Sequence, residues 1–167
     1  MTGKVMVLDT TAFLAGLPLM LYGVRLVAPP SVIEEVRDDE SRSRLETAML
    51  LERVEVVKPR EKYKWRVKRA AVKVGVHGSL SETDVEVAAL ALQLKEEGLE
   101  VEVVTDDYAL QNLLASLGVS YRSLRTRGIS RLVRYILVCP ACGYTSRRYG
   151  ERRCPVCGAP LVKRPRS

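Results

Sequence analysis

Four short apolar runs, separated by segments with helical spacing, limit what this 167-residue chain can fold into. They occupy residues 4–10, 24–30, 54–58 and 101–105, and residues 119–124 form a weaker fifth run. Each is nearly continuously apolar, which is typical of parallel strands covered on both faces. Helices between such strands provide the crossover connections. We therefore predict a three-layer α/β domain with a parallel central sheet over residues 1–124.

The helical segments between these runs carry recognisable end signals. The clearest helix is predicted over residues 79–98, where Ser81 and Asp84 have the spacing of a capping box and Gly98 follows the last turn. Pro30 suits the first turn of another helix, and Pro18 is expected to stop a short helix after the first strand. Further helices are predicted over the stretches 41–54 and 106–118, the second closed by Gly118.

Charge is divided unequally along the chain, whose formal net charge is +7. Residues 1–118 hold 15 Lys and Arg against 19 Asp and Glu, whereas residues 119–167 hold 12 Lys and Arg against one acid, Glu151. An acidic body with a basic C-terminal part indicates a polyanionic partner, and nucleic acid is favoured over a merely solvated basic surface.

A second basic stretch, residues 58–78, combines eight Lys and Arg with Tyr63 and Trp65. As a helix it would form a charged surface with Trp65 either exposed or packed inward. As a mobile segment near the sheet edge it could bind RNA through phosphate contacts and base stacking. On the second interpretation, the RNA-binding candidates here are Lys64, Trp65, Lys68 and Arg69.

Acidic residues follow the ends of the predicted strands. Asp9 follows the first strand and Asp106 and Asp107 follow the fourth, while Glu35 and Asp84 lie in helices entered from the same edge. Ligands of parallel sheets bind beyond the carboxyl ends of the strands. Converging carboxylates repel one another unless a cation is bound, and all-oxygen ligands favour Mg²⁺ or Mn²⁺. For each acid taken alone, a structural role such as a helix cap is the alternative.

All four cysteines lie in one C-terminal segment that contains the motif CPxCG twice. Two Cys-x-x-Cys knuckles supply four thiolates in the arrangement that structural zinc prefers. Disulfides and a rubredoxin-like iron site are the alternatives. We predict a zinc ribbon over residues 135–163, joined by a linker over 125–134 and followed by a basic tail over 164–167. Its ligands are Cys139, Cys142, Cys154 and Cys157, and its predicted phosphate-binding residues are Arg147, Arg148, Arg152 and Arg153.

Several other classes of protein do not fit the sequence. The single histidine, His77, is expected at the surface, which leaves no histidine-based triad or His-rich zinc centre. Neither a GxxxxGK[ST] nor a GxGxxG motif is present. No apolar run approaches the roughly 18 residues of a membrane span, and no signal peptide precedes the first strand. A cytoplasmic protein is expected.

Four stretches of the sequence resemble the acidic motifs of the PIN domain, a metal-dependent nuclease fold. They are VLDTTAF, PPSVIEEVRD, LSETDVEVAALALQL and VVTDDYALQNLL. The resemblance assigns Asp9, Glu35, Asp84 and Asp107 as catalytic residues, with Asp9, Asp84 and Asp107 binding Mn²⁺ or Mg²⁺. Glu35 is preferred over Glu34, and Asp106 and Thr105 are accessory candidates.

Together with DYALQNLL and YILVCPACG, these motifs resemble the Nin-one-binding protein family from about residue 4 to 162, and the short length resembles its archaeal members. The resemblance implies a metal-dependent endoribonuclease that cuts precursor small-subunit ribosomal RNA at its mature 3′ end, leaving a 3′-hydroxyl and a 5′-phosphate. It further implies the pre-ribosomal small subunit as partner. A KH-domain assembly factor is an additional candidate partner, and a monomer is favoured.

Three other functions stay open at this point. The chain could be a toxin-like PIN ribonuclease acting on tRNA or mRNA, although the ribbon counts against it. It could be an RNA-binding ribosome-assembly factor that does not cleave. It could also be a zinc-ribbon module of transcription or translation, which a preference for duplex DNA would favour.

Overall fold

The computed structural model describes residues 3–124, 135–148 and 150–166. A five-stranded, wholly parallel sheet lies at its centre, in the strand order β3-β2-β1-β4-β5. The strands are β1 (Lys4–Leu8), β2 (Arg25–Ala28), β3 (Glu55–Val56), β4 (Glu100–Val104) and β5 (Ser120–Arg122). The helices are α1 (Thr10–Leu14), α2 (Leu17–Met20), α3 (Pro30–Glu35), α4 (Asp39–Leu50), α5 (Glu61–Val74), α6 (Glu82–Glu96) and α7 (Tyr108–Ser116). The predicted α/β class with a parallel sheet is confirmed.

The central strands are buried on both faces, as their continuous apolar sequences predict. Residues Val5 to Leu8 of β1 and the end of β4, Val103 and Val104, are at most 3% exposed. Helix α6 packs across β1 and β4 and buries ten of its fifteen residues. Because helices cover both faces of this sheet, the side chains on both faces of its strands are buried in the hydrophobic core.

The helix ends agree with the sequence signals in most places. Ser81 caps α6, and Asp84 completes the capping box by accepting a hydrogen bond from the Ser81 N–H. Pro30 begins α3 as predicted. The prediction for Pro18 was wrong: it lies in the first turn of α2, where proline is well tolerated, and α1 has already ended before Gly16.

The basic stretch 58–78 is mainly a helix, α5, rather than a mobile segment. Tyr63, Val67, Ala71 and Val74 form its buried face. Trp65 does not pack inward, since it is 68% exposed. This helix is amphipathic, so its hydrophobic face holds it on the domain while its cations lie outside.

The C-terminal part forms a second, smaller unit. Strands β6 (Tyr135–Val138) and β7 (Val162–Pro165) pair antiparallel, with Leu137 opposite Lys163. The four cysteines lie between the two strands in sequence. The start of the predicted basic tail, Arg164, belongs to β7, and the predicted linker 125–134 lies outside the described residues.

The smaller unit packs directly against the loop between α5 and α6. At Gly75, which ends α5 with φ +80°, a Cβ atom would overlap the carbonyl group of Tyr135. His77 is 2% exposed, and its Nε2 lies 3.5 Å from Oγ of Ser146. The expectation that His77 is a surface residue was wrong, because the smaller unit covers it.

Among the described residues, no helix is long and apolar enough to span a membrane.

Candidate active site and metal centre

The acidic residues lie at the point where the order of the sheet reverses. From β1 the chain crosses to β2 on one side, and β4 pairs with β1 on the other. A crevice forms at such a switch point, beyond the carboxyl ends of the strands. Asp9 follows β1 directly, and its N–H donates to the Val104 carbonyl at the end of β4, 3.2 Å away.

A hydrogen-bonded chain through Thr105 connects the ends of the two central strands. The hydroxyl of Thr105, which is fully buried, donates to Asp9 Oδ2 at 2.8 Å. The Asp107 N–H donates in turn to the Thr105 hydroxyl at 3.1 Å. Gln111 supports this arrangement, because its amide donates to the Thr105 carbonyl at 2.8 Å. Thr105 therefore positions two predicted site residues at once.

Asp9 and Asp107 are also helix caps, which was the structural alternative for both. Oδ1 of Asp9 accepts from the Thr10 N–H, and Oδ1 of Asp107 accepts from the Ala109 and Leu110 N–H groups. The two roles are compatible, since capping fixes the carboxylates at the sheet edge. In each cap, backbone N–H groups hold one carboxylate oxygen, and this fixes the orientation of the carboxylate.

Glu35 reaches the same edge from the last residue of α3. Its Oε2 accepts a hydrogen bond of 2.6 Å from the Thr10 hydroxyl at the start of α1. Its charge acts on Asp9. Thr10 is a positioning residue that sequence reasoning did not identify, although it directly follows Asp9. Of the adjacent pair Glu34 and Glu35, it is the predicted site residue Glu35 that makes this contact.

Asp84 enters the site from the first turn of α6. Burial raises its pKa to about 6. The charges of Asp9 and Asp107 also raise this pKa, whereas the hydrogen bond from the Ser81 N–H lowers it. Burial also raises the pKa of Asp9, to which Asp107 and Glu35 add repulsion. The site thus combines Asp9, Glu35, Asp84 and Asp107 from four segments of the chain.

The charge at this edge is not balanced by side chains. Within the described parts of the chain, no ion pair joins Asp9, Glu35, Asp84 or Asp107 to a Lys or Arg. One cation of the smaller unit acts from nearby: partial burial lowers the pKa of Lys163, while the charge of Asp107 raises it. Neighbouring carboxylates with no paired cation, of which Asp9 and Asp84 have raised pKa values, fit a site for a divalent ion with oxygen ligands.

Asp106 has a different environment from its neighbour Asp107. Its Oδ1 accepts from the Ser123 hydroxyl at 2.6 Å and from the Leu124 N–H at 2.7 Å. These bonds tie the end of β4 to the chain leaving β5. The two adjacent acids therefore have different positions. Asp107 lies in the acidic site, and Asp106 lies at the turn beside it.

The four cysteines form a compact thiol cluster. Their Sγ atoms all lie within 4.8 Å of one another, and across the described residues no other group of three or more His, Cys, Asp or Glu ligand atoms is as close. Cys139 and Cys157 are 3.3 Å apart at sulfur, and Cys142 and Cys154 are 3.4 Å apart. The backbone N–H of Cys142, with that of Ala141, lowers the pKa of the Cys139 thiol to about 6. Four unpaired thiols so arranged can hold a metal ion.

The predicted RNA-binding residues have unequal surroundings. Arg147, Arg148, Arg152 and Arg153 are exposed on the segment between the two cysteine pairs. On α5, Trp65 and Arg69 are exposed. Lys64 and Lys68, in contrast, pair with acids of α6: Lys64 contacts Glu82 and Glu86, and Lys68 contacts Glu82.

Comparison with known proteins agrees with this fold. The family model described as the PIN domain of ribonuclease matches residues 6–94. The endoribonuclease Nob1 of Pyrococcus abyssi is 39% identical over 96% of this chain and 94% of its own length. The endoribonuclease Nob1 of Methanothermobacter thermautotrophicus is 35% identical over 95% of this chain and 91% of its own. The ribonuclease VapC3 of Aeropyrum pernix is 49% identical over 76% of this chain and 91% of its own.

The parallel sheet with acids at its switch point thus belongs to a nuclease of the PIN-domain class. Within that class, the chain belongs to the Nob1 family of endoribonucleases.

Proposed function

We propose that this protein cuts precursor small-subunit ribosomal RNA to generate its mature 3′ end during ribosome biogenesis. The observation that supports this most is the joint presence of the four-carboxylate edge and the packed four-cysteine unit in a chain that matches Nob1 endoribonucleases over nearly its full length. On the family resemblance, the proposal includes the pre-ribosomal small subunit as substrate particle, a KH-domain factor as partner, and action as a monomer in the cytoplasm.

In this proposal, Asp9, Asp84 and Asp107 hold Mn²⁺ or Mg²⁺. A bound divalent ion supplies Lewis acidity, which lowers the pKa of water and offsets negative charge on the phosphodiester. Glu35, held by Thr10, is a further ligand or orients the attacking water and accepts its proton. Attack at phosphorus breaks the bond to O3′, which leaves a 3′-hydroxyl and a 5′-phosphate.

The smaller unit has a separate role in the proposal. Zn²⁺ bound by Cys139, Cys142, Cys154 and Cys157 stabilises its fold and takes no part in the chemistry. The exposed cations Arg147, Arg148, Arg152 and Arg153 contact RNA phosphates and contribute affinity rather than catalysis.

A cleavage assay tests the enzyme and the substrate together. The substrate is an RNA spanning the 3′ end of small-subunit ribosomal RNA and its downstream spacer, incubated with Mn²⁺, Mg²⁺ or a chelator. We expect one metal-dependent cut at the mature end. Asp9→Asn should reduce its rate by at least about 10³-fold, because a ligand is lost where transition-state charge is stabilised, while RNA affinity stays nearly constant.

The matched control is Asp38→Asn. Asp38 also caps a helix, α4, by accepting from the Ser41 N–H, but it takes no part in the hydrogen bonds that join the acids of the site. Cleavage should survive this change. Normal cutting by Asp9→Asn would contradict the assignment of the site, and tight binding without any cut, on naked RNA and on pre-subunit particles, would favour a binding-only assembly factor.

A second candidate function is a PIN ribonuclease that acts on tRNA or mRNA. The 49% identity to a relative named only as a ribonuclease favours keeping it. The same assay on tRNA and mRNA separates the two, since cleavage there at rates equal to or above that of the ribosomal precursor would support the second candidate.

A further inference from the structure

A cationic cleft lies between α5 and α7, away from the carboxylates. Its volume is about 650 Å³. It is lined by Arg66, Arg69, Ala70, Lys73, Val74, Ser116 and Arg166. Four of these seven residues are cations and none is an acid, so the cleft is suited to an anionic ligand.

The cations of the cleft come from both units of the molecule. Arg66, Arg69 and Lys73 recur at intervals of three and four residues, so they form one stripe along α5. Arg166 directly follows β7 of the smaller unit. The cleft is therefore complete only when the smaller unit is packed against α5.

Most of this positive charge is not neutralised. Arg66 pairs with Glu96 at 2.6 Å. Arg69, Lys73 and Arg166 have no ion pair with any residue in the described parts of the chain. Lys64 and Lys68 on the same helix are paired with acids of α6. Helix α5 thus carries Lys64 and Lys68, which are neutralised within the fold, and Arg69 and Lys73, which are not.

The cleft is connected to the acidic edge by β7. Lys163 lies three residues before Arg166, about 10 Å along an extended strand, and its Nζ is 4.2 Å from the centre of the Tyr135 ring. The charge of Asp107 acts on Lys163. The close packing of Tyr135 on Gly75 fixes this strand pair against the nuclease domain. Strand β7 thus carries one cation within range of the Asp107 charge and leads to another that lines the cleft.

The chemistry of the lining distinguishes between two ways of binding RNA. The lining holds guanidinium and ammonium groups over Ala70 and Val74, and no aromatic ring that could stack on a base. Contacts to phosphates give affinity that depends on salt and not on sequence.

We propose that this cleft binds the ribose–phosphate backbone of single-stranded RNA that flanks the cut on one side. The proposal rests on the proposed function in that the bound strand continues from the scissile phosphate past Lys163. It places RNA contacts on Lys73 and Arg166 and gives α5 a defined role: the side carrying Arg66, Arg69 and Lys73 holds the strand, and the side carrying Lys64 and Lys68 packs on the fold.

Binding assays in an Asp9→Asn background without divalent metal test the proposal. The triple variant Arg69→Ala, Lys73→Ala, Arg166→Ala should bind a long single-stranded RNA at least about tenfold more weakly. The slope of log K against log salt should fall by about 2, since each phosphate contact on a single strand contributes about 0.7. The control triple variant is Arg25→Ala, Arg42→Ala, Arg44→Ala, which removes the same charge from cations that are paired with Glu55, Glu46 and Glu40. It should leave the slope nearly unchanged.

A series of precursor RNAs that span the mature 3′ end, trimmed on one side of that end or on the other, then locates the strand. Wild-type affinity should fall when one particular flank is shortened, and the cleft variant should be insensitive to that shortening. Equal slopes for the two triple variants, or equal losses on both flanks, would overturn the proposal. Because the salt slope is measured without cleavage and on RNA unrelated to ribosomal sequence, failure of the proposed cleavage function would leave that result interpretable.

Discussion

The two units of this molecule are stabilised in different ways. The α/β domain buries a continuous core that includes Val7, Phe13, Leu90 and Leu113. In the described part of the smaller unit, Leu137, Ser146, Cys139 and Cys154 are the buried side chains. A unit with so little apolar burial requires a cross-link or a metal to be stable. One end of the chain thus depends on the hydrophobic effect, whereas the other has a four-cysteine cluster that could hold a metal ion in its place.

The contact between the two units relies neither on a large apolar core nor on the cysteine cluster. It is made by Gly75, Gly78 and His77 on one side and by Tyr135, Leu137 and Ser146 on the other. Glycines allow backbone to approach backbone, and the buried imidazole lies beside a hydroxyl. This contact holds the β6–β7 strand pair, whose Lys163 is within range of the Asp107 charge and whose following residue Arg166 lines the cleft, against the α/β domain.

The two units should differ most in their stability after removal of the proposed zinc ion. Cys154→Ser removes a buried ligand, so we expect bound zinc to be lost and the smaller unit to unfold. The apparent zinc-binding energy at stake is about 10–16 kcal/mol. The α/β domain, with its own core, should keep its thermal midpoint within a few degrees. Zinc content by mass spectrometry and amide shifts of the two units measure both effects.

A neighbouring non-ligand residue provides the control for this experiment. Val156 lies between Cys154 and Cys157 and is 71% exposed, so Val156→Ser should retain zinc. Retained zinc in Cys154→Ser, or loss of α/β structure together with the smaller unit, would mean that the two units are not stabilised independently.

Gly75→Ala should separate the units while leaving each one folded. A methyl group would overlap the Tyr135 carbonyl, and the residue also has a positive φ. The backbone strain alone costs about 1–2 kcal/mol for alanine. The overlap adds to it, so amide shifts of Tyr135 and Ser146 should change strongly and Lys163 should leave Asp107.

Gly98→Ala controls for the backbone strain. Gly98 also follows a helix with a positive φ, +91°, but nothing lies within 4 Å of the place that a Cβ atom would occupy. Relative to the wild type, the free energy of unfolding of Gly98→Ala in urea should change only by this strain energy, and the contact between the units should stay the same. Equal effects of the two substitutions would contradict the close approach at Gly75.

Local signals predicted much of this molecule from the sequence. Apolar runs located all five strands of the central sheet, although β3 is limited to Glu55–Val56. The strand-end rule brought Asp9 and Asp107 to one edge, where the structure joins them through Thr105. The repeated CPxCG motif predicted the thiol cluster. In each case, the information lies within a few neighbouring residues or in a general rule of parallel sheets.

The features that the sequence did not predict depend on distant residues. Thr10 holds Glu35 across 25 positions. His77 is covered by a unit that follows 58 or more residues later. Lys64 and Lys68 look the same in sequence as Arg69 and Lys73, and only the acids of α6 distinguish the two pairs. Local periodicity has no information on such pairings.

The smallest predicted effect concerns His77 and pH. Burial lowers its pKa below the usual 6.5, so the folded protein binds fewer protons there than the unfolded chain. Stability from this group is therefore complete at neutral pH and is lost as the pH falls below about 6.5. Between pH 7.5 and 5.5 the zinc-loaded protein should lose unfolding free energy through His77.

Denaturant unfolding at both pH values gives the change in unfolding free energy for the wild type and for His77→Gln. The contribution of His77 is the change in the wild type minus the change in the variant. The subtraction is needed because Asp84, with its raised pKa of about 6, acts in the opposite direction and gains stability as the pH falls. Glutamine keeps a polar group beside Ser146 but does not titrate, so the variant should retain only the trend of the remaining groups, which include Asp84 and Asp9. An identical pH dependence in both proteins would mean that His77 is hydrated in solution and that the contact between the units is looser than its burial indicates.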